Sequence, residues 1–353
     1  MNESNKKLKE LLQDNESKEI FDARIEYMRT RDTLAFIEKM HNLYKNFQYY
    51  EMDCFLNERD ISELSIVIFG AGHEGEIACK ILKHTKYASF LYAFCDNKKE
   101  LWGKEKQGLP ILSVYDLMAS KKEILYVLAS RRYNYEFMIQ LLNLCVPQKN
   151  IFISPYGGFL FAQRGWQYFD VFQACDSEEF VDGGAYDGMT AKNFIKWCNG
   201  KYTQIDMFEL NADMKPVCFS NIGTKNKVNF IAKGLWDKNI FLDFCNTQNS
   251  SHIIETFEKD IEKTMVQVCS IDSELKNRKI TYIKLDVEGS ELRALHGGTE
   301  IIRKLKPKLA ICVYHKLNDM VDIMSYLLEL NLDYKFYLRH YSACEWETVL
   351  YAI

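Results

Sequence analysis

The chain has 353 residues, of which 47% are hydrophobic and 27% charged, and its formal net charge is −4. This length suggests about two domains, and the near balance of charge excludes a global attraction to nucleic acid or to anionic membranes. Eleven cysteines without a CxxC pair argue against a disulfide framework or a zinc ribbon and favour the reducing cytoplasm.

Residues 1–60 are polar, with apolar residues at helical spacing such as Leu34, Ile37, Met40 and Leu43. This pattern predicts a helical N-terminal segment rather than an independent core. The segment lacks the apolar run of a signal peptide, and no run in the chain reaches about 18 uncharged apolar residues. We therefore expect a cytoplasmic protein without a membrane span.

Residues 61–155 alternate short apolar runs with helical stretches, which indicates a small Rossmann-like domain with a parallel sheet. Four apolar runs are predicted as strands: 66–72, 90–97, 123–130 and 150–154. The first run ends in a GxGxxG turn that opens a helix, and Asp96 ends the second run. This is the pattern of a dinucleotide-binding turn, in which helix N–H groups face a phosphate and an acid accepts hydrogen bonds from a ribose.

Residues 156–178 are predicted to be an aromatic-rich connector, and the strand–helix alternation resumes in 179–353. Seven apolar runs are predicted as strands: 180–182, 204–210, 228–232, 281–286, 308–314, 334–338 and 348–353. The first five alternate with helices, whereas the last two have no helix between them and should pair antiparallel. The sequence therefore predicts an α/β fold whose second domain has a seven-stranded, doubly wound sheet with one antiparallel edge strand.

The first strand of the second domain runs through Asp182 into a glycine turn and then a helix. Glycines let a ligand approach the backbone, and an acid at this position suits an ammonium group better than a pyrophosphate. Glu209 ends the second strand, where a carboxylate can accept both hydroxyls of a ribose. A glycine turn that can bind an amino acid group, next to an acid that can bind a ribose, fits S-adenosylmethionine better than NAD.

The second domain resembles the FkbM-type S-adenosylmethionine-dependent methyltransferases. The resemblance covers about residues 175–353 and is carried by VDGGAYDGMT, FELN, SIDSEL, IKLDVEGSELRALHGG and the tail from CVYHK to ETVLYAI. It implies a class I methyltransferase fold and a methyl transfer from S-adenosylmethionine. The acceptor it suggests is a small molecule or glycan, most simply a sugar hydroxyl on a glycan or a nucleotide-sugar precursor.

The resemblance also assigns residues to the cofactor. Those around its methionine portion are Asp182, Gly183, Gly184, Ala185, Tyr186, Asp187 and Gly188, with Thr190 at the start of the helix. Those at its ribose and adenine are Glu209, Leu210, Asn211, Leu235 and Trp236. Asp286 is expected under the methyl group.

Catalytic residues are expected where the fourth and fifth strands end. Lys284 and Asp286 point to the same side of the sheet, and Glu288 and His315 follow at its carboxyl edge, where open α/β sheets bind ligands. Asp286, Glu288, His315 and, less directly, His340 are candidates for the base that accepts the hydroxyl proton. Either histidine can instead be structural. The first three residues could also build a metal site, but no spacing motif requires a metal and we expect none.

The first domain is similar to the N-terminal Rossmann-like domain of bacterial sugar O-acyltransferases, through FGAGHEG, FCDNKK, GLPIL and LASRRYNYEF. This resemblance implies that a nucleotide-linked sugar is held by Gly70, Gly72, His73, Gly75 and Asp96. Arg131 and Arg132 could add positive charge at the same edge.

Two alternatives remain open for the first domain. It could serve only in packing or in a homodimer contact. It could instead make the protein an NAD-dependent sugar-nucleotide oxidoreductase, although no Tyr-x-x-x-Lys pair and no Lys or His base was found near the expected nicotinamide position.

Overall fold

The computed structural model describes residues 3–43, 52, 55–56, 59–130, 133–153, 167–223, 226–247, 250–253, 263–342 and 345–353. The chain forms two compact units. The larger unit comprises Met1–Met28, Gly165–His340 and Glu347–Ile353, and the smaller unit comprises Arg29–Arg164 and Tyr341–Trp346. The segment 1–60 is thus divided between the two units, and most of the smaller unit is inserted between two parts of the larger one along the chain.

The larger unit begins with two helices, α1 (Glu3–Glu10) and α2 (Asn15–Thr30). The backbone N–H of Leu338 donates to Ser17 Oγ at 2.9 Å, which ties α2 to a strand near the opposite end of the sequence. Apolar side chains of this region are almost completely buried: Leu8, Leu12, Ile20 and Phe21. Burial of this extent makes the two helices part of the core of the larger unit.

The smaller unit is built on a six-stranded sheet in the order β3-β4-β2-β1-β5-β6. Its strands are β1 (Leu64–Phe69), β2 (Leu91–Cys95), β3 (Glu105–Lys106), β4 (Leu109–Leu112), β5 (Glu123–Leu128) and β6 (Ile151–Ile153). Its helices are α3 (Thr33–Leu43), α4 (His73–Lys83), α5 (Val114–Ala119) and α6 (Asn134–Asn143). All strand pairs are parallel except β3 with β4.

The hairpin of β3 and β4 was not predicted. It turns at Gln107 and Gly108, whose φ angles are 52° and 73°. Positive φ at both central residues is the requirement of the tight turn that matches the twist of a two-stranded ribbon. The strands are too short to show an alternating pattern, so the turn was the only available signal.

The larger unit contains a seven-stranded sheet in the order β16-β17-β15-β14-β7-β8-β9. Its strands are β7 (Glu178–Gly183), β8 (Tyr202–Phe208), β9 (Val228–Ile231), β14 (Tyr282–Leu285), β15 (Lys308–Cys312), β16 (Phe336–His340) and β17 (Thr348–Ala352). The predicted α/β fold is confirmed. The antiparallel strand is β17, which pairs with both β15 and β16 and therefore lies second from the edge.

A second, four-stranded sheet of the larger unit lies between β9 and β14 along the chain and was not predicted. Its strands are β10 (Gly234–Leu235), β11 (Ile240–Thr247), β12 (Ser250–Ile253) and β13 (Lys263–Cys269). The remaining helices are α7 (Met189–Trp197), α8 (Lys215–Ile222), α9 (Ile271–Glu274), α10 (Glu291–His296), α11 (Thr299–Leu305) and α12 (Asp319–Glu329). Within the described residues, no helix combines the length and the apolar character that crossing a bilayer requires.

Candidate functional site

The glycine turn after β7 lies against the end of β14. Gly184 has a φ of +76°, and a Cβ atom added to it would lie 1.8 Å from the carbonyl oxygen of Asp286. A carbonyl oxygen of a neighbouring strand end cannot give way by this much, so only glycine fits at this position. The turn then leads into α7, and Asp187 Oδ1 accepts a hydrogen bond from the N–H of Met189 at 3.0 Å.

Glu209 holds the glycine turn and the end of β8 together. Its Oε2 atom accepts from the N–H of Tyr186 at 3.0 Å, and its Oε1 atom accepts from the N–H of Asn211 at 2.9 Å. The carboxylate is therefore fixed at the carboxyl edge of the sheet, with lone pairs still open to a ligand. The Tyr186 side chain next to it is 64% exposed.

Lys284 forms a buried ion pair below the turn. Its Nζ atom lies 3.0 Å from Asp182 Oδ1, and the two side chains are 1% and 0% exposed. It also donates to the carbonyl oxygens of Gly183 and Gly184, at 3.0 and 2.7 Å. Burial alone would lower the pKa of Lys284, but the charges of Asp182 and Asp286 outweigh it and raise that pKa. Lys284 thus supports the turn as a cation rather than facing a ligand.

Leu235 and Trp236, predicted to flank the adenine, are only 1% and 5% exposed. A Cβ added to Gly183 would lie 2.8 Å from Leu235 Cδ1, so Leu235 packs on the start of the glycine turn. The guanidinium carbon of Arg293 lies 5.4 Å from the centre of the Trp236 ring. Both side chains therefore lie mainly within the core, and Leu235 contacts the start of the glycine turn.

Asp286 lies directly after β14 and is held by two tyrosines. The hydroxyl of Tyr168 donates to its Oδ2 atom at 2.9 Å, and that of Tyr314 donates to its Oδ1 atom at 3.3 Å. Burial by itself would raise the pKa of Asp286, but Lys284, His315 and the Tyr168 hydroxyl together hold it below its ordinary value. Asp286 is therefore a fixed, negatively charged group at the carboxyl edge.

His315 follows β15 and lies among three carboxylates, because β14 and β15 are parallel neighbours that end at the same edge. Its Nε2 atom is 3.5 Å from Asp286 Oδ1 and 3.6 Å from Glu288 Oε2, and its Nδ1 atom is 2.9 Å from Glu291 Oε1. Burial lowers the pKa of His315, but the charges of Glu291, Asp286 and Glu288 outweigh it and raise that pKa to about 10. An imidazolium donates protons, which leaves Asp286 and Glu288 as the candidate bases.

The contact described for His340, the other histidine considered as a base, is to the neighbouring strand β17. His340 is fully buried in β16, and its Nδ1 atom lies 2.9 Å from Thr348 Oγ1. Such a histidine stabilises the strand pair.

Glu347 is a site residue that the sequence did not single out. Gln167 donates to its Oε2 atom at 2.6 Å, and the Tyr314 hydroxyl lies 3.3 Å from its Oε1 atom. Burial and the nearby charge of Asp286 raise the pKa of Glu347 to about 7. Tyr314 thus links two carboxylates of different proton affinity. Only the position of Glu347 before a fully buried strand could have indicated it.

The glycine turn of the smaller unit has the same construction as that of the larger one. Asp96 follows β2, and its Oδ2 and Oδ1 atoms accept from the N–H groups of Ala71 and Lys98, both at 2.8 Å. Glu209 makes the corresponding pair of contacts in the larger unit. In both units an acid after the second strand therefore fixes the turn after the first.

The other predicted residues of this turn differ in exposure. Gly72 and His73 are exposed, and a Cβ added to Gly72 would meet no atom within 4 Å. Gly75 is buried and its Cβ position lies 1.8 Å from the carbonyl oxygen of Gly70, so it serves packing. The predicted contributions of Arg131 and Arg132 fall outside the described residues.

Comparison with known proteins identifies a part of the larger unit. Residues 182–336 match the family model of the methyltransferase FkbM domain, and no curated protein matches the chain. The predicted resemblance to FkbM methyltransferases is therefore confirmed for these residues: they form a methyltransferase domain, whose cofactor is S-adenosylmethionine. The resemblance of the smaller unit to sugar O-acyltransferases stays a prediction.

Several solved methyltransferase structures are similar to the chain. Methyltransferase FkbM from Methylobacillus flagellatus KT shares 18% identity at a TM-score of 0.46, over 95% of this chain and 99% of that one. Fibrillarin from Aeropyrum pernix, in complex with S-adenosyl-L-methionine, shares 9% identity at a TM-score of 0.33, over 50% and 66%. Precorrin-6y C5,15-methyltransferase from Geobacter metallireducens GS-15 shares 8% identity at a TM-score of 0.31, over 52% and 81%.

Proposed function

We propose that the larger unit transfers a methyl group from S-adenosylmethionine to a sugar hydroxyl of a glycan or a nucleotide-sugar precursor. The observation that carries this proposal is the cluster of Asp286, Glu288 and His315 beside the glycine turn. Carboxylates accept hydrogen bonds from hydroxyl groups, and the histidine supplies a donor, so the cluster suits an acceptor rich in hydroxyls. Hydroxyl acceptors also need a nearby group to take up the proton.

The residues of the larger unit fit the cofactor, which when bound supplies an electrophilic methyl group. Glu209 is fixed where it can accept ribose hydroxyls, and the turn from Asp182 to Gly188 presents backbone to the amino acid portion. Leu235 and Trp236 are almost completely buried, so the adenine would contact only the small exposed part of these side chains. Glu209 keeps free lone pairs, so it can accept ribose hydroxyls while it keeps its contacts to the N–H groups of Tyr186 and Asn211.

The chain's own groups would then align the acceptor and accept its proton. Alignment supplies much of the rate enhancement, because a well-placed hydroxyl reacts as part of the same complex. Asp286 is held rigidly by Tyr168 and Tyr314, whereas Glu288 is 62% exposed and can reach an arriving sugar. The exposed ring of Tyr186 gives the sugar a flat apolar surface on which to pack.

Glu209→Ala tests the cofactor assignment. Loss of a charged hydrogen-bond acceptor costs about 1.5–3 kcal/mol, so S-adenosylhomocysteine should bind roughly 10- to 150-fold more weakly, as measured by calorimetry. Asp213→Ala, which removes an exposed carboxylate four residues further on, should leave the affinity unchanged. Equal affinities of wild type and Glu209→Ala would contradict the assignment. Including NAD in the titrations tests the oxidoreductase alternative.

We further propose that the smaller unit holds the nucleotide portion of a nucleotide-linked sugar. The shared arrangement of Asp96 with Ala71 and of Glu209 with Tyr186 supports this proposal, because it places an acid beside the N-terminus of α4 as in a nucleotide site. Such a domain would contribute binding energy remote from the reacting hydroxyl.

Gly72→Trp tests this second site. The added side chain enters open space, and the φ of Gly72 is −78°, so the fold should tolerate it. We expect the variant to lose the rise in melting temperature that a nucleotide sugar such as UDP-glucose gives the wild type, and to bind S-adenosylhomocysteine normally. Met118→Trp, at an exposed position on helix α5 of the same unit, is the control for the added ring. An unchanged response of Gly72→Trp to every nucleotide sugar that stabilises the wild type would refute the assignment.

A further inference from the structure

We propose that Glu347 receives, by way of the Tyr314 hydroxyl, the proton that Asp286 takes from the acceptor. The inference rests on the proposed function for the role of Asp286 as the base, and Glu347 acts through Asp286 rather than on the acceptor itself. β15 pairs with β14 in parallel and with β17 antiparallel. Glu347, directly before β17, therefore lies at the edge of the sheet where β14 and β15 end.

The Tyr314 hydroxyl lies between two carboxyl groups. Its oxygen is 3.3 Å from Asp286 Oδ1 and 3.3 Å from Glu347 Oε1. A phenol has a single proton, so Tyr314 can donate to only one of these oxygens at a time. When it donates to Asp286, its own oxygen can accept a hydrogen bond from Glu347. One proton on Glu347 thus completes a chain of hydrogen bonds from Glu347 through Tyr314 to Asp286.

The outer oxygens of the two carboxyl groups are held by other side chains. Gln167 donates to Glu347 Oε2 at 2.6 Å, and the Tyr168 hydroxyl donates to Asp286 Oδ2 at 2.9 Å. Each carboxyl group therefore has one oxygen fixed by a neighbour and its other oxygen within reach of Tyr314. Such fixed positions favour repeated proton transfer along one path.

The backbone of two of these residues is strained. Glu347 has a φ of 63° and Tyr168 a φ of 73°. Residues other than glycine rarely adopt this left-handed conformation, and where they do the surrounding structure must enforce it, as it does at many active sites. Two strained residues thus bring their side chains into one chain of hydrogen bonds, which argues for a functional role of that chain.

The surrounding charges set the direction of proton transfer. Burial would raise the pKa of Asp286, but Lys284, His315 and Tyr168 hold it below its ordinary value. Burial and the charge of Asp286 raise the pKa of Glu347 to about 7, although hydrogen bonds and the charge of His315 oppose them. The titratable groups that face Glu347 are Asp286, His315, Tyr314, Tyr168 and Cys312. A proton on Asp286 is therefore more stable after transfer to Glu347.

Proton transfer along this chain leaves Asp286 ready for the next acceptor. The acceptor oxygen forms its bond to the methyl group with its own electron pair, and the sulfur keeps the pair of the bond that breaks. The hydroxyl proton moves to Asp286, a proton moves from Asp286 to the Tyr314 oxygen, and the Tyr314 proton moves to Glu347. Asp286 is then charged again, and Glu347, which is partly exposed, releases the proton to water.

The test follows the carboxyl groups of the full chain by ¹³C nuclear magnetic resonance from about pH 4 to pH 9, without cofactor or acceptor. Loss of a signal in Glu347→Gln and in Asp286→Asn assigns the two groups. We expect Glu347 to titrate near pH 7 and the Asp286 signal to shift in the same step. Tyr314→Phe should reduce this shift of Asp286 at least about twofold. Tyr334→Phe, which removes a hydroxyl bound to the carbonyl oxygen of Pro307, should leave it unchanged.

Melting temperatures check the titration of Glu347 by a second route. A carboxyl group whose pKa is raised on folding contributes stability at low pH that is lost as the pH rises through about 7. Glutamine resembles the protonated acid and cannot lose this contribution. Relative to the wild type, Glu347→Gln should therefore gain at least about 3 °C between pH 5 and pH 8. No gain would contradict a proton on Glu347.

The proposal is overturned if the Asp286 signal does not move near pH 7, or if Tyr314→Phe leaves its shift intact, since charge alone would then explain it. With a sugar that the wild type methylates, kcat should rise through about pH 7, and Glu347→Gln should lose this rise at unchanged KM. A rise retained by the variant would also overturn the proposal.

S-adenosylhomocysteine titrated into the wild type reports separately on the proposed function. Binding of this ligand without a shared titration of Asp286 and Glu347 would overturn the role of Glu347 and leave the cofactor assignment intact. A shared titration without binding of this ligand would support the chain of hydrogen bonds and overturn its use in methyl transfer.

Discussion

Lys284→Met is expected to lower the melting temperature of the protein by roughly 6–20 °C. The substitution leaves the Asp182 carboxylate fully buried without its cation and removes the donor from the carbonyl oxygens of Gly183 and Gly184. Breaking one side of a buried ion pair costs about 3–5 kcal/mol, and this range in a unit of such size corresponds to the stated shift. Scanning calorimetry of the full chain measures it.

Two further variants test whether the loss of stability comes from the unpaired buried charge or merely from the removal of a lysine. Lys201→Met removes a lysine that is paired with Asp176 at 2.8 Å but exposed, and should shift the melting temperature by less than about 2 °C. Adding Asp182→Asn to Lys284→Met removes the stranded charge and should restore part of the loss. If Lys284→Met lowers the melting temperature no more than Lys201→Met does, the buried ion pair contributes little to stability.

Gly184→Ala is expected to reduce methyl transfer by at least about 100-fold and to weaken S-adenosylhomocysteine binding. Its Cβ would lie 1.8 Å from the Asp286 carbonyl oxygen, so either the turn or the end of β14 must move by an ångström or more. A displacement of about 1 Å at a reacting site can cost two orders of magnitude in rate. Calorimetry gives the binding loss and, with a known acceptor, a methylation assay gives the rate.

Gly200→Ala is the matched control for this variant. Gly200 has a φ of +75°, nearly the same as Gly184, but its Cβ position has no atom within 4 Å. Both substitutions therefore impose the same left-handed strain of about 1–2 kcal/mol, and only Gly184→Ala adds the clash. Indistinguishable cofactor binding by the two variants would contradict a tight approach of the turn to Asp286.

The fold could be predicted because its strands and its helices have different patterns of apolar residues in the sequence. Buried parallel strands are continuous apolar runs, and the helices between them keep their spacing. The hairpin from β16 to β17 was indicated by the absence of a helix between two apolar runs. The order of these strands, with β17 inside β16, was not indicated, because either order buries the same side chains. The β11–β13 sheet carries exposed apolar residues such as Phe241 and Met265, which obscure an alternating pattern.

The candidate site was predictable where residues follow a strand directly. Asp286, Glu288 and His315 come together because the ends of parallel strands share one edge. Tyr168 could not be placed in this way, because it comes from a segment that the sequence indicates only as aromatic-rich and its contact with Asp286 spans 118 positions. The charge state of His315 likewise depends on three carboxylates. Their distances from the histidine cannot be derived from the spacing of residues in the sequence.

The connection between Ser17 and Leu338 has a consequence for the order in which the chain folds. The two residues are 321 positions apart, and such distant pairs form slowly because a long loop must close first. All strands of the smaller unit's sheet lie between Leu64 and Ile153, so this sheet can assemble on the ribosome while the later strands are still being synthesised. The apolar faces of α1 and α2 cannot be covered in this way until the segment around Leu338 has been synthesised. During synthesis these faces therefore stay exposed to solvent longer than the core of the smaller unit does.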